Sequence, residues 1–157
     1  MAYYQGLDRV DGEIRIGAPL LEKLETLSIA EDVAEDVSHW LREAETNAAV
    51  RYFGIFHWQM WIGDMILHNL SMETGESMIA YHLFDPHMRG KGIGTRALHL
   101  LVQYVREETP LRQLIIITSI DNVASQGLAI KNGFHLIGPS REDPVNGMVF
   151  ALEIPRQ

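Results

Sequence analysis

The sequence predicts an α+β fold in which helices flank one mixed sheet. Short apolar runs typical of strands alternate along the chain with runs of helical periodicity. One glycine-rich turn, between Phe84 and Ile93, joins such a strand to a strongly periodic helix. The 157 residues can bury a substantial core and contain no linker-like stretch, so we expect a single domain over residues 1–157.

Seven strands and four helices account for the apolar pattern. The strands are predicted at residues 12–16, 50–58, 61–70, 77–84, 114–119, 134–137 and 148–154. The helices are predicted at residues 20–27, at residues 29–42, from Ile93 to the break at Thr109-Pro110, and from about Asn122. Two prolines and Asn146-Gly147 predict a loop before the last strand.

The turn at residues 89–95, Arg-Gly-Lys-Gly-Ile-Gly-Thr, predicts a site for a phosphate group. Asp85-Pro86 ends the preceding strand, and Ile93, Ala97 and Tyr104 recur at helical spacing in the helix that follows. Glycines let the backbone approach a ligand closely, and the first turn of a helix presents unpaired N–H groups at the positive end of its dipole. Pyrophosphate suits such a junction.

Three phosphate-binding motifs compete for these residues. A P-loop is excluded because the chain contains no Gly-Lys-Ser/Thr. A dinucleotide fingerprint fits formally, since residues 92–97 match G-x-G-x-x-G/A and Asp121 ends the next apolar run. However, the turn after Phe84 is too long for it, and too little chain follows for a doubly wound sheet. The pyrophosphate arm of coenzyme A is therefore preferred, with a dinucleotide as the alternative.

Here the sequence resembles the GCN5-related N-acetyltransferase (GNAT) superfamily. The family's loop, Gln/Arg-x-x-Gly-x-Gly/Ala, is matched by residues 89–94. A second family segment is matched by Asn122, Ser125, and Lys131 before Gly133-Phe134. This spacing is similar to that of the RimJ/RimL-like branch, which acetylates protein N-termini and similar amines. The motifs cover about the last hundred residues, and the first fifty agree only in outline.

The resemblance implies a mostly antiparallel, twisted sheet of six to seven strands with about four helices, in which a splayed strand pair holds acetyl-CoA. In the family, backbone N–H groups of the strand before the loop hold the pantetheine and the thioester carbonyl. The cofactor-binding residues expected here are Leu83, Phe84, Arg89, Gly90, Lys91, Gly92, Ile93, Gly94, Thr95, Asn122 and Lys131.

The resemblance also implies which residue protonates the departing thiolate. Many members place a tyrosine seven residues after the asparagine, where it protonates the departing thiolate, but Ala129 occupies that position here. In the branch resembled, the serine of Asn-x-x-Ser is the substitute, which implies Ser125 as the catalytic acid. The sequence names no general base. The candidates that stay open are Asp64, Glu76, Tyr81, His82 and Asp121, of which Asp121 could instead cap a helix.

The formal net charge of −8 disfavours a nucleic-acid partner and favours a cationic one. Part of this charge is concentrated at Glu31, Asp32, Glu35 and Asp36, which helical spacing places on two adjacent ridges. Two interpretations are open. These acids form either a solvated helix face or the acidic wall of an amine-binding cleft.

Several classes lack support in the sequence. The chain has no cysteine, no basic–apolar leader and no apolar run approaching about 18 residues, so we expect no disulfide, secretion or membrane span, and a cytoplasmic location. The seven histidines form neither an H-x-H pair nor H-E-x-x-H, so no metal site is predicted.

The sequence thus predicts an acetyl-CoA-dependent N-acetyltransferase. Its acceptor would be a primary amine, either a protein N-terminus or a small cationic amine. The alternative is a non-catalytic acyl-CoA-binding domain that acts as a sensor or partner module, which the missing tyrosine keeps open. Self-association as a homodimer through the sheet edges is also left open by the sequence.

Overall fold

The computed structural model describes residues 8–156. In this range one sheet of eight strands has the order β1-β2-β3-β4-β5-β6-β8-β7. The strands are β1 (Arg9–Asp11), β2 (Ile14–Gly17), β3 (Arg51–His57), β4 (Met60–Ser71), β5 (Glu76–Leu83), β6 (Gln113–Ser119), β7 (His135–Pro139) and β8 (Gly147–Glu153). The helices are α1 (Glu31–Thr46), α2 (Ile93–Glu108) and α3 (Val123–Lys131), with 3-10 turns at Leu21–Thr26 and Pro86–Met88.

The predicted mixed, mostly antiparallel sheet is confirmed, with one strand more than expected. All neighbouring strands are antiparallel except β5 and β6. The additional strand, β1, has only three residues and is mostly exposed, so it shows no apolar alternation to detect.

The helix predicted at residues 20–27 is present, but it is a 3-10 helix and not an α-helix. Leu21–Thr26 form a 3-10 helix with no buried residue, because its leucines do not form an apolar face of several turns. The next predicted helix is confirmed as α1, although it extends to Thr46 because Ala44 still packs into the core. None of the helices within residues 8–156 has the length and hydropathy required to span a bilayer.

The sheet separates two apolar clusters, and β5 contributes to both. Ile79 and Leu83 belong to the cluster that packs against α2 and α3, and Tyr81 packs on the same cluster. Phe84 belongs to the other cluster, which packs beneath α1, and Ala80 packs against that cluster. Because side chains alternate along a strand, consecutive residues of β5 face different helices. This alternation decides which side chains meet at the functional site.

The strands β5 and β6 pair only where they begin. Their parallel register joins Glu76–Met78 to Gln113–Ile115 and goes no further. Beyond it, β5 remains paired to β4 as far as Leu83, and β6 remains paired to β8 as far as Ser119. Each strand is therefore held on its outer edge while the inner edges separate, which opens a cleft between them and confirms the expected splay.

Candidate functional site

A cleft of about 840 Å³ lies between the separated ends of β5 and β6. Its walls come from β5, β6, the turn before α2, the first half of α1 and one side of α3. Strand ends that have lost their neighbour leave backbone N–H and C=O groups available to a ligand.

The turn before α2 is shaped by two glycines in the left-handed region. Gly90 has a φ of 76° and Gly92 a φ of 79°, and a Cβ built on either would have no atom within 4 Å. Gly92 is also the N-cap of α2, and the first bond of the helix runs from Arg96 N–H to the Gly92 carbonyl. The N–H groups of Ile93, Gly94 and Thr95 therefore have no partner within the helix and can bind an anion.

Gly94 has a different role from the glycines of the turn. A Cβ at this position would lie 2.9 Å from Leu128 Cδ1 and 3.1 Å from Tyr81 Cε2. The small residue thus lets the start of α2 pack closely on Tyr81. Asn132 joins the start of α2 to α3, because its Nδ2 donates to the carbonyls of Thr95 and Leu128, both at 3.1 Å.

Ser125 lies in the first turn of α3 and is 4% exposed. The side-chain oxygen of Asn122 accepts a hydrogen bond from the Ser125 N–H at 3.1 Å, so Asn122 caps the helix and fixes the position of the serine. Both residues line the cleft. Asp121, which the sequence offered as a cap, does not have that role here.

Tyr81 faces Ser125 across the cleft. Burial raises the pKa of the Tyr81 phenol, and its interaction with the nearby Ser125 side chain opposes part of that shift. The phenol therefore stays protonated at neutral pH and can orient the serine hydroxyl. The sequence did not predict this contact, because the two residues lie on different elements.

The two backbone N–H groups predicted to hold the pantetheine behave differently. The prediction is wrong for Phe84, whose N–H donates to the Ile62 carbonyl at 2.8 Å and whose ring packs against Trp61 at 5.7 Å. Adjacent N–H groups along a strand point to opposite edges. The Leu83 N–H therefore points away from β4 and into the cleft, while the carbonyl of Phe84 accepts from Ala30 N–H at 2.7 Å.

Most other predicted cofactor residues lie together on the walls of the cleft. These are Leu83, Arg89, Gly90, Gly92, Ile93, Gly94, Thr95, Asn122 and Lys131. Lys91 is exposed and does not line the cleft, so of the two predicted lysines only Lys131 does.

Arg89 connects the turn to α1. Its guanidinium donates to both carboxylate oxygens of Asp32, at 3.1 and 3.2 Å, and this hydrogen bonding lowers the pKa of that carboxyl. Asp32 and Asp36 line the cleft, whereas Glu31 and Glu35 are exposed away from it. The aspartate ridge therefore lines the cleft, and the glutamate ridge is a solvated face.

Asp64 and His82 were separate candidates in the sequence, and the structure brings them together. They lie opposite each other on β4 and β5, with His82 Nδ1 2.7 Å from Asp64 Oδ1. The other carboxylate oxygen accepts from the Tyr52 hydroxyl at 2.9 Å, and Asp64 is completely buried. His82 Nε2 lies 3.8 Å from Asp36 Oδ2, toward the cleft.

Burial and the interactions with neighbouring groups shift the pKa of each member of this pair in opposite directions. Burial alone would lower the pKa of His82, but the hydrogen bond to Asp64 and the charges of Asp64 and Asp36 outweigh it, so that the pKa is raised. Burial raises the pKa of Asp64, and its hydrogen bonds with His82 and Tyr52 oppose that shift.

The remaining candidates lie elsewhere. Asp121 and Glu76 are exposed and do not line the cleft. Ala129 is fully buried in the core, so the position of the family's tyrosine faces away from the site. Within residues 8–156 no cluster of three or more His, Cys, Asp or Glu side chains could hold a metal ion.

A parallel strand pair that separates beside a glycine turn and a helix N-terminus defines a class of α+β proteins built to hold an extended, phosphate-bearing ligand between strands. The acetyltransferase (GNAT) domain model matches residues 22–135 of the chain. The protein belongs to this family, and the resemblance seen in its sequence is confirmed.

Individual relatives agree with this assignment. The ribosomal-protein-serine acetyltransferase of Escherichia coli (strain K12) is 31% identical over 88 residues, which are 56% of this chain and 49% of that protein. The match thus spans about half the length of this curated relative. The microcin C7 self-immunity acetyltransferase MccE, in complex with acetyl-CoA and AMP, has a TM-score of 0.73 at 19% identity over 92% of this chain and 94% of its own.

RimL, a ribosomal L7/L12 α-N-protein acetyltransferase in complex with coenzyme A, has a TM-score of 0.75 at 17% identity. The alignment covers 93% of this chain and 97% of RimL. At such identities the two structural likenesses establish the fold, and the function must be argued from the residues of this chain.

Proposed function

We propose that this protein is an acetyl-CoA-dependent N-acetyltransferase that moves an acetyl group directly to a primary amine. One observation carries the proposal: the splayed strands β5 and β6 open onto the same cleft as the unpaired N–H groups of Ile93, Gly94 and Thr95. The gap suits an extended pantetheine arm, and the helix N-terminus suits a pyrophosphate. The strand gap and the helix N-terminus line the same cleft, so one extended ligand can contact both.

The residues of the cleft fit a coenzyme A thioester. Open space at Gly90 and Gly92 leaves room for phosphate oxygens beside the backbone, and Lys131 adds a positive charge at the cleft wall. The Leu83 N–H can donate to the thioester carbonyl and so stabilise the negative charge that develops on its oxygen during attack. When bound, acetyl-CoA supplies the activated acyl group.

Ser125 is the proton donor to the departing sulfur in this proposal. The α3 cap fixes its backbone, and the Tyr81 phenol orients its hydroxyl, so a proton can reach the thiolate without water entering from solvent. Tyr81 remains neutral because burial raises its pKa. It acts through the serine as a positioning residue.

The acceptor is an amine drawn to an acidic opening. Asp36 provides a negative charge at the cleft, and the overall charge of −8 favours cationic molecules at longer range. The E. coli relative is named for a ribosomal-protein serine, so a protein α-amino group is the first acceptor class that we would test. We place this activity in the cytoplasm, where acetyl-CoA is available. We assign it to a single domain.

The test is release of free thiol from acetyl-CoA across N-terminal peptides, lysine peptides and polyamines. The chain contains no cysteine, so it adds no background to a thiol assay. Turnover with one amine class would support the proposal and name the class. Tight acetyl-CoA binding without turnover on any amine would contradict it and favour a non-catalytic acyl-CoA-binding domain instead.

A further inference from the structure

The acceptor side of the cleft contains a histidine–carboxylate pair, with a partly buried His82 and a fully buried Asp64, that the steps above do not use. His82 lies on β5 between Tyr81, which faces α2 and α3, and Leu83, whose N–H faces the gap. Its own side chain points to the other face of the sheet, beneath α1. The pair is thus one residue away from the expected thioester carbonyl but on the opposite face from Ser125.

We propose that His82, positioned by Asp64, accepts the proton that the acceptor ammonium must lose before it attacks the thioester. This inference rests on the proposed transferase activity. The proton passes from the ammonium to His82 Nε2, and the neutral amine forms the C–N bond as the C–S bond breaks. Ser125 protonates the thiolate and is reprotonated by the second proton from the attacking nitrogen, while the proton on His82 leaves to solvent.

Hydrogen bonding fixes which ring nitrogen is available. Both oxygens of Asp64 are engaged, one by His82 Nδ1 at 2.7 Å and the other by the Tyr52 hydroxyl at 2.9 Å. A carboxylate can only accept, so Nδ1 carries the hydrogen and Nε2 presents its lone pair. Nε2 is also the nitrogen directed to Asp36 and the cleft. The pair is therefore oriented for proton acceptance.

Charges around the ring favour its protonated form. Asp64 faces it from β4 and Asp36 from α1. Asp32 on α1 and Arg89 in the turn also act on it, with opposite signs, and their two charges are paired with each other. The net surrounding charge is negative, so an imidazolium formed by proton transfer is stabilised.

Face alternation on β5 separates the two proton transfers. Tyr81 and Ser125 serve the sulfur from the side of α2 and α3, and His82 with Asp64 serves the amine from the side of α1. An amine entering past Asp36 would meet His82 first. This arrangement allows a lysine-like amine, with a pKa of about 10, to be deprotonated inside the cleft at neutral pH.

The experiment measures kcat, kcat/KM and acetyl-CoA affinity against pH for the wild type, His82→Gln and Asp64→Asn. The control is His135→Gln, an exposed histidine on β7 that does not line the cleft. We expect His82→Gln to lower kcat by about 10²-fold or more with acetyl-CoA affinity unchanged, and to remove one acidic limb of the pH profile. The His135→Gln control should keep the wild-type kcat and the wild-type pH profile.

The Asp64→Asn variant distinguishes positioning from structure. Removing the buried charge lowers the pKa of His82, so the acidic limb moves to lower pH, which lost packing alone would not cause. Imidazole NMR can follow the same change: His82 should titrate above about 6.5 in the wild type and below it in the variant.

The outcomes separate the two proposals. If the wild type turns over an amine while His82→Gln keeps its rate and pH profile, the role of His82 is overturned and the transferase stands. If the NMR titration of His82 does not move in Asp64→Asn, the positioning role of Asp64 is overturned. If the wild type binds acetyl-CoA but acetylates no amine, both proposals fall together.

Discussion

The two ends of the cleft are built in different ways. At the end proposed to bind the cofactor (the cofactor end), the groups that can bind an anion are backbone N–H groups of consecutive residues, 93–95, at the start of one helix. At the end proposed to bind the amine (the acceptor end), the groups are side chains of Asp36, Asp64 and His82, which come from α1, β4 and β5. The first end depends on local conformation, and the second depends on the register of the sheet and the docking of α1.

This difference determines how each end should respond to mutation. A change at residues 92–95 should alter acetyl-CoA affinity with little effect on the acceptor, because the groups of the acceptor end belong to other elements, α1, β4 and β5. A change at the acceptor end should alter the pH profile or the acceptor KM with acetyl-CoA affinity preserved. Variants that affect both ends equally would contradict the division.

The largest expected effect is at Ser125, which lines the cleft from α3. Ser125→Ala removes the hydroxyl proposed to protonate the thiolate, so kcat should fall by about 10²-fold or more while acetyl-CoA affinity stays nearly constant. Stopped-flow thiol release and calorimetric acetyl-CoA titration measure the two quantities. The acidic limb assigned to His82 should persist, because that group lies on the other face of β5.

The matched control is Ser140→Ala, which removes a hydroxyl from another buried serine, outside the cleft. It should leave kcat unchanged. A normal rate in Ser125→Ala would remove the serine from the mechanism and shift attention to the Tyr81 phenol, which Tyr81→Phe would then test.

A smaller effect is expected from Gly92→Val, which acts only on the cofactor end. With φ at 79°, the backbone of Gly92 is strained for any residue with a Cβ, and most for a β-branched one. Holding it there costs about 1–2 kcal/mol, so acetyl-CoA affinity should fall by about tenfold as the turn relaxes away. Calorimetric titration measures this, and the acceptor KM at saturating acetyl-CoA should not change.

Gly138→Val is the control for this substitution. Gly138 lies on β7 without a left-handed φ, and a Cβ there would meet no atom within 4 Å. Its acetyl-CoA affinity should equal that of the wild type. Equal affinity in Gly92→Val as well would show that the turn does not bind the cofactor.

The conformation of the turn and of the start of α2 could be predicted from the sequence because it is local. Glycines at 90, 92 and 94 and the periodicity of α2 lie within a few residues of one another, and their spacing alone sets the geometry. The prediction was wrong for the Phe84 N–H because that group depends on β4, which provides the Ile62 carbonyl. Strand pairing determines whether the Phe84 N–H is free, and the local sequence pattern does not reveal that pairing.

The acceptor end could not be assembled from the sequence for the same reason. Ser71 pairs with Glu76 near the turn between β4 and β5, but an irregularity between His68 and Ser71 shifts the register by one residue. Continuing the Ser71–Glu76 register would place Leu83, not His82, opposite Asp64. A slip of one residue exchanges the faces of a strand, so the histidine–carboxylate pair depends on this irregularity.

The smallest expected effect is at Asp36, which lies at the opening of the acceptor end. Its side chain is 67% exposed and 3.8 Å from His82 Nε2, so solvent screens most of its charge. Asp36→Asn should raise the KM of a cationic amine by at most about fivefold and move the acidic limb slightly to lower pH. Steady-state kinetics at low and high salt measure both.

Glu35→Gln is the matched control, because it removes an equal charge from the adjacent position of α1, where the side chain is exposed and does not line the cleft. If long-range attraction by the net charge of −8 draws the amine in, the two variants should change KM equally, and salt should abolish both effects. A change confined to Asp36→Asn would instead show that the aspartate ridge contacts the amine. Only that result would show that the acceptor end binds the amine through direct contacts, as the cofactor end is proposed to bind acetyl-CoA.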